Sequence, residues 1–125
     1  MTERIEFVLP YPPTVNTYWR RRGGTYFVSK SGERYRRDVA LIVRQQRLKL
    51  NLSGRLAIKI IAEPPDKRCS DLDNILKAPL DALTHAGLLI EDKQFDEVNI
   101  VCGQPVPGGR LGVKIYEITG DNDGA

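Results

Sequence analysis

The chain has 125 residues, 41% of them hydrophobic, and its 19 basic and 16 acidic side chains give a net charge of +3. This length suits one compact domain over residues 1–125, whose last residues, 119–125, we expect to form a frayed acidic tail. The absence of a long apolar run and of a signal-peptide pattern excludes a membrane-spanning protein and predicts a cytoplasmic one. The two cysteines have neither CxxC spacing nor a histidine at metal-ligand spacing, so we expect both to be reduced.

The first half of the chain predicts a strand, a hairpin and a helix. Alternating apolar residues over 5–9 predict the strand, which ends at a proline. Residues 15–22 and 25–29 flank Gly23-Gly24, and this pattern indicates an irregular hairpin. A helix from about Glu33 to Leu50 follows, with apolar residues at helical spacing.

The second half predicts three more strands and one more helix. Residues 55–63 alternate as a strand, and residues 98–102 and 111–118 predict two strands that we expect to pair as a hairpin. A helix is predicted over 74–86, with Asp73 as its N-cap, a bend at Pro79 and Gly87 as the residue that ends it. These elements predict an α+β sandwich, in which about two main helices pack on a mixed sheet.

Charge is unevenly distributed along the chain. Residues 1–60 hold 13 basic and 4 acidic side chains, whereas residues 61–125 hold 6 and 12. The first half is therefore suited to a polyanion, and the second half can hold cations. Arg20, Arg21 and Arg22 stand together beside Gly23-Gly24, with Tyr18 close by, and arginines with aromatic residues suit phosphate contacts and base stacking.

Carboxylates are concentrated around the start of the second predicted helix. Asp71 and Asp73 are separated by one residue, Asp92 follows later, and Lys77 lies one helical turn beyond Asp73. Carboxylate oxygens are the ligands that Mg²⁺ prefers, so Asp71, Asp73 and Asp92 form a reasonable magnesium site. Such a site can activate a water for attack on a phosphodiester, and a nearby ammonium can stabilise the developing negative charge.

Other interpretations of the same residues stay open. An aspartate before a helix is most often a cap, and alternating charges on a helix are most often a solvated face. A non-catalytic nucleic-acid-binding protein would use the basic first half alone. A transferase that binds a nucleotide-sugar diphosphate also uses an Asp-x-Asp pair, but the small size and the lack of a nucleotide-binding βαβ unit count against it.

An ordered set of short motifs resembles the RusA family of Holliday junction resolvases over nearly the whole chain. The matching positions are residues 9–19, Ser29, Gly32, Tyr35-Arg36, Val39, residues 65–68, residues 71–74, Lys77, residues 81–83, Gly87, Asp92 and Gln94. The resemblance implies a homodimeric, Mg²⁺-dependent endodeoxyribonuclease, in which Mn²⁺ can substitute, that cuts four-way DNA junctions by symmetric nicks. Families of this kind are often carried by prophages.

The resemblance also implies roles for individual residues. Asp71, Asp73 and Asp92 match the family's essential carboxylates, which hold the metal, and Lys77 matches its essential lysine. Cys69 and Ser70 occupy positions where family members commonly have a basic residue, and this departure bears on junction affinity. The residues that we expect to contact DNA are Asn16, Tyr18, Arg20, Arg21, Arg22, Lys67, Arg68 and Asn74.

Overall fold

Nine regular elements and one short turn form the fold of the part of the chain that the structure describes. The computed structural model describes residues 4–67 and 72–118. In chain order the elements are β1 (Arg4–Pro10), α1 (Val15–Tyr18), β2 (Trp19–Arg22), β3 (Thr25–Val28), α2 (Lys30–Gln45), β4 (Leu56–Glu63), α3 (Leu72–Ala86), β5 (Phe95–Cys102) and β6 (Arg110–Glu117). A 3₁₀ turn, Asp92–Gln94, precedes β5.

The main sheet has four strands in the order β1-β6-β4-β5. Strand β6 is antiparallel to both β1 and β4, whereas β5 is parallel to β4 and β2 pairs only with β3. The mixed sheet with two main helices is as predicted, but the expected hairpin of β5 and β6 is wrong. The charged and polar residues of β5 suit an edge strand, and the apolar alternation of β6 suits a central one.

The core lies between one face of this sheet and the two long helices. Every second residue of the central strands is buried there, as at Ile58 and Ile60 of β4 and Val113 of β6. Val39 of α2 and Leu83 of α3 are also fully buried. Burial of these side chains is the main stabilising term of the fold, and it fixes both helices against the sheet.

Three predicted boundaries in the first half of the chain need correction. Residues 15–18 form a short helix and not the start of a hairpin strand. Helix α2 begins at Lys30, because the Oγ atom of Ser29 accepts a hydrogen bond from the backbone N–H of Gly32 at 3.0 Å. It ends at Gln45, five positions before the predicted Leu50.

The second long helix also begins earlier than predicted. Helix α3 starts at Leu72, so Asp73 lies in its first turn and is not its N-cap. The helix continues through Pro79, which is buried, so this proline does not end it. Gly87 ends the helix as predicted, with a left-handed φ of 92° that glycine adopts without strain.

Two further findings bear on the class of protein. Cys102, the last residue of β5, is disulfide-bonded, which corrects the expectation that both cysteines are reduced; Cys69 lies outside the described residues. Among the helices of residues 4–67 and 72–118, none is long and apolar enough to cross a bilayer. The predicted tail 119–125 lies outside the described residues.

Helix α2 meets α1 and β3 at Gly32. A Cβ atom there would lie 2.5 Å from Cγ1 of Val28 and 2.7 Å from the carbonyl oxygen of Tyr18. A glycine-to-alanine change inside a helix ordinarily stabilises by about 1 kcal/mol. We predict that Gly32→Ala instead destabilises the fold by about 1–3 kcal/mol, as overpacking does, measured by urea unfolding.

The matched control is Gly112→Ala, because a Cβ atom at Gly112 meets no heavy atom within 4 Å. We expect this variant to unfold within ~0.5 kcal/mol of the wild type. Equal effects of the two substitutions would contradict the packing argument.

Candidate active site

A charged stripe follows one side of α3. Asp73, Lys77, Asp81 and His85 are spaced by four residues along one unbroken helix, so each lies one turn above the last. Asp73 and Lys77 are exposed, and Asp73 stands in the first turn, where the helix dipole favours a carboxylate. The helix therefore presents an acid and a lysine side by side to solvent.

The carboxamide of Gln94 fixes the segment that carries Asp92. Its Oε1 atom accepts hydrogen bonds from the backbone N–H groups of Ile90 and Glu91, both at 2.8 Å. Its Nε2 atom donates to the carbonyl oxygens of Leu52 and Gly54, at 2.7 and 2.8 Å. Gln94 is 5% exposed, and its four bonds join the loop after α3 to the loop before β4.

The structure places Asp73 and Asp92 at opposite ends of α3. A helix of 15 residues is about 22 Å long. Asp73 lies in its first turn, whereas the chain leading to Asp92 stays near its last turn, because the carbonyl of Leu88 and the N–H of Ile90 both bond to Leu52. Two aspartates bind one magnesium ion only when their Cα atoms lie within about 10 Å, given metal–oxygen distances of ~2.1 Å.

The backbone of one chain therefore keeps positions 73 and 92 near opposite ends of α3, and the side chain of Asp92 lies outside what the structure describes. Within residues 4–67 and 72–118, no group of three potential metal ligands is found. Asp71 lies outside the described residues, so the magnesium site of Asp71, Asp73 and Asp92 stays a prediction. The donor chemistry still suits a hard cation, because Asp73 is an exposed carboxylate at a helix start.

A half-buried polar cluster joins α1, α2 and α3 beside the stripe. The hydroxyl of Tyr18 donates to Oδ2 of Asp81, and Nε of Arg36 donates to that same oxygen at 2.9 Å and to the hydroxyl at 3.1 Å. Burial and the bond to Asp81 raise the pKa of Tyr18. Burial opposes the charge of Arg36, but its bonds to Asp81 and Tyr18 raise its pKa overall.

This cluster gives Tyr18 a place that the sequence did not indicate. Its side chain is fully buried, and its ring packs edge-on against Trp19 with the centroids 5.2 Å apart. The ring is therefore not accessible to a nucleic-acid base. Tyr18 instead holds Asp81, which lies one turn from Lys77 on α3.

The β2–β3 hairpin presents both arginines and aromatic rings to solvent. Arg20, Arg21 and Arg22 are all exposed. Tyr26 and Phe27 on the facing strand are 67% and 42% exposed, and they lie opposite Arg21 and Arg20 in the strand register. The guanidinium carbon of Arg21 is 5.7 Å from the ring centroid of Tyr26. The exposed rings suited to base stacking are thus Tyr26 and Phe27, which the aromatic-rich hairpin pattern could have identified.

The other residues that we expected to contact DNA belong to three different segments. Lys67 is exposed after β4, Asn74 is partly buried in the first turn of α3, and Asn16 belongs to α1. Arg68, like Cys69 and Ser70, lies outside the described residues. Asn74 shares its helical turn with Asp73, so of these three it is the one beside the charged stripe.

The hydrogen bonds of the buried Gln94 carboxamide can be removed by mutation, which tests whether they hold the Asp92 segment in place. We predict that Gln94→Met, which keeps the length of the side chain, lowers the free energy of unfolding by roughly 3 kcal/mol, because four part-buried hydrogen bonds to the backbone are lost and the N–H of Glu91 and the carbonyl of Gly54 lose their side-chain partner. Chemical denaturation measures this loss. Gln104→Met is the control, because Gln104 is exposed and should tolerate the change. Equal stability of the two variants would contradict a structural role for Gln94.

Comparisons with known proteins agree on one family. The family model described as endodeoxyribonuclease RusA matches residues 10–116. A protein of Enterobacteria phage HK97, named crossover junction endodeoxyribonuclease, is 56% identical over 113 residues, which cover 90% of this chain and 94% of the relative. Proteins of the same name from Escherichia coli strain K12 and Enterobacteria phage 82 are 40% and 39% identical, over 88% of this chain and 92% of each relative.

Proposed function

Because the chain belongs to the endodeoxyribonuclease RusA family, we propose that it is an endonuclease that resolves four-way DNA junctions by paired symmetric nicks. The observation that carries this proposal is the family match over residues 10–116, which includes Asp71, Asp73, Lys77 and Asp92. The basic hairpin and the charged stripe on α3 supply surfaces for a polyanion and for its cleavage. We place the activity in one domain of residues 1–125 in the cytoplasm.

We assign the metal site to oxygen ligands from Asp71, Asp73 and Asp92. Mg²⁺, or Mn²⁺ in its place, supplies activation of water and neutralisation of phosphate charge when bound. Lys77 lies one turn from Asp73 on α3 and is exposed to the same solvent. Its ammonium stabilises negative charge on the phosphate or donates a proton to the departing oxygen.

A homodimer explains how separated carboxylates serve one site. The chain places Asp73 and Asp92 at opposite ends of α3, so we infer that Asp73 of one protomer works with Asp92 of the partner subunit. A two-fold axis then generates two equal sites. Two such sites suit a junction of approximate two-fold symmetry and account for paired nicks on opposed strands.

Apolar surface beside α3 supports this assembly. Val98 stands on the face of β5 that the helices should cover, because it pairs with the buried Ile58, yet it is 42% exposed. Ile90, in the loop that leads to Asp92, is 56% exposed. A second copy that covers these side chains would also lie close to the Asp92 segment.

The main test removes the negative charge of one aspartate and keeps the shape of its side chain. We predict that Asp73→Asn abolishes cutting of a mobile, end-labelled four-way junction in Mg²⁺, because the site loses a charged ligand, while junction binding stays within about threefold. Cleavage gels and gel-shift titrations on the same preparations measure the two properties. A linear duplex of the same sequence should not be cut.

Two outcomes would contradict the proposal. Equal cutting of the junction and the linear duplex would remove junction selectivity. Junction binding by the wild type without cutting, in Mg²⁺ or Mn²⁺, would leave a non-catalytic structure-selective DNA-binding protein.

Mixing two inactive variants tests the shared site. In a heterodimer of Asp73→Asn and Asp92→Asn protomers, one site carries both substitutions and the other carries neither. We therefore predict that co-refolding the two variants restores single nicks in the junction, to roughly half the wild-type rate per heterodimer. Each variant alone is the control, and a mixture as inactive as its components would show that both aspartates serve the same protomer.

A further inference from the structure

A basic groove runs between α2 and α3. Two adjoining cavities of about 340 and 420 Å³ form it, and they share Ala40 and His85 in their walls. Its cationic lining consists of Arg36, Arg37, Arg44, Arg47 and Lys49. We call this feature the α2–α3 groove.

The charges of the α2–α3 groove are available to a ligand. Arg37, Arg44, Arg47 and Lys49 are exposed, and within residues 4–67 and 72–118 none of the four belongs to an ion pair. Of the described residues that line the groove, Glu33 is the one acid. Four exposed cations around one groove attract a polyanion.

The backbone at Arg47 gives a second, independent observation. The N–H of Leu48 bonds to the carbonyl of Val43 and the N–H of Arg47 to that of Arg44, the pattern of a Schellman motif at the end of α2. Arg47 occupies the left-handed position of this motif with φ at 58°, where glycine is the favoured residue. Strain at a residue that lines the groove indicates a role for its side chain.

Lys49 is positioned by tertiary packing. Its aliphatic stem lies against Gly87, where a Cβ atom would stand 2.9 Å from Cγ and 3.1 Å from Cε of Lys49. Gly87 thus ends α3 and also leaves room for this lysine. The backbone N–H of Asn51 donates to the carbonyl of Gly87 at 2.8 Å, which holds the two segments together.

The groove is continuous with the candidate active site. The charged stripe on α3 runs from Asp73 to His85, which is shared by both cavities, over 12 residues and about 18 Å. Duplex DNA rises 3.4 Å per base pair, so this distance corresponds to about five base pairs. A duplex whose scissile phosphate lies at Asp73 can therefore extend to the groove.

We propose that the α2–α3 groove binds the sugar-phosphate backbone of a junction arm, about five base pairs from the phosphate that is cut. This inference rests on the proposed function and adds a DNA contact surface to it. The contact is to phosphates and carries no sequence readout. The groove anchors the arm and does not take part in the chemical step.

The test removes two groove cations and compares them with two cations elsewhere. For Arg44→Gln combined with Arg47→Gly, we expect roughly tenfold weaker junction binding. We also expect the slope of log K against the logarithm of the salt concentration to be shallower by about 2. The single-turnover cutting rate at saturating junction should equal that of the wild type. The control combines Lys59→Gln with Lys114→Gln, which removes two exposed charges from neighbouring strands on the sheet face opposite the helices; its affinity should stay within about twofold of the wild type.

The melting temperature of a variant and the chemistry of the DNA backbone distinguish a direct DNA contact from an effect on the fold. Arg47→Gly alone should raise the melting temperature by roughly 3 °C, because glycine relieves the left-handed position, and should still weaken binding. Neutral methylphosphonates four to seven linkages from the cut should weaken wild-type binding but not binding by the double variant. If the double variant folds poorly, Arg37→Gln with Arg44→Gln replaces it.

The inference would be overturned if the groove variant and the control variant bound the junction with equal affinity. It would also be overturned if the methylphosphonates weakened binding by the wild type and by the groove variant equally. Either result would leave the proposed resolvase activity standing. A wild-type protein that neither binds nor cuts junctions would instead contradict the proposed function and overturn this inference with it.

Discussion

The hydroxyl of Tyr18 and its two partners constrain the helical face of this protein. A buried hydroxyl needs a hydrogen-bond partner, and a half-buried carboxylate needs a cation, so Tyr18, Asp81 and Arg36 satisfy one another. The three residues belong to α1, α3 and α2, which fixes the positions of all three helices. Removing one partner leaves a partly buried charge or hydroxyl without its bond, which costs more than the cluster contributes as a whole.

This cluster also organises the charged surfaces. Asp81 lies between Lys77 and His85 on α3, and Arg36 lies beside Arg37 on α2. The site around Asp73 and Lys77 is therefore on one side of the cluster, and the α2–α3 groove is on the other. A hydrogen-bonded cluster between the candidate active site and the proposed phosphate-binding groove would help to hold their separation, as precise positioning of a scissile phosphate requires.

Two features of the structure are not explained by the stability of the isolated fold. One chain separates Asp73 from Asp92, and Arg47 stands where glycine would be unstrained. Neither feature improves the isolated fold. The proposed homodimer and the proposed DNA contact would give each feature a physical reason, because the partner subunit would complete the carboxylate set and the DNA arm would contact the cation of Arg47.

Local patterns in the sequence determined much of the fold. Apolar alternation located the four strands of the sheet, helical spacing and Gly87 located the two long helices, and the ordered motifs identified the family. These features were predictable because each depends on neighbours along the chain: side-chain period, helix caps and turn residues act within a few positions. The adjacency of Lys77 to Asp73 on one helix was predictable for the same reason.

Only the tertiary structure decided which strands pair, which aromatic residues are exposed and at which end of α3 Asp73 and Asp92 lie. Strand β6 lies between β1 and β4. Tyr18 is buried, whereas Tyr26 is exposed. Asp73 lies in the first turn of α3, and the backbone of Asp92 lies near the other end of that helix. The groove between α2 and α3 also exists only once the helices are packed. These properties depend on contacts between residues distant in sequence, and such contacts are set by burial of the whole core and not by local pattern.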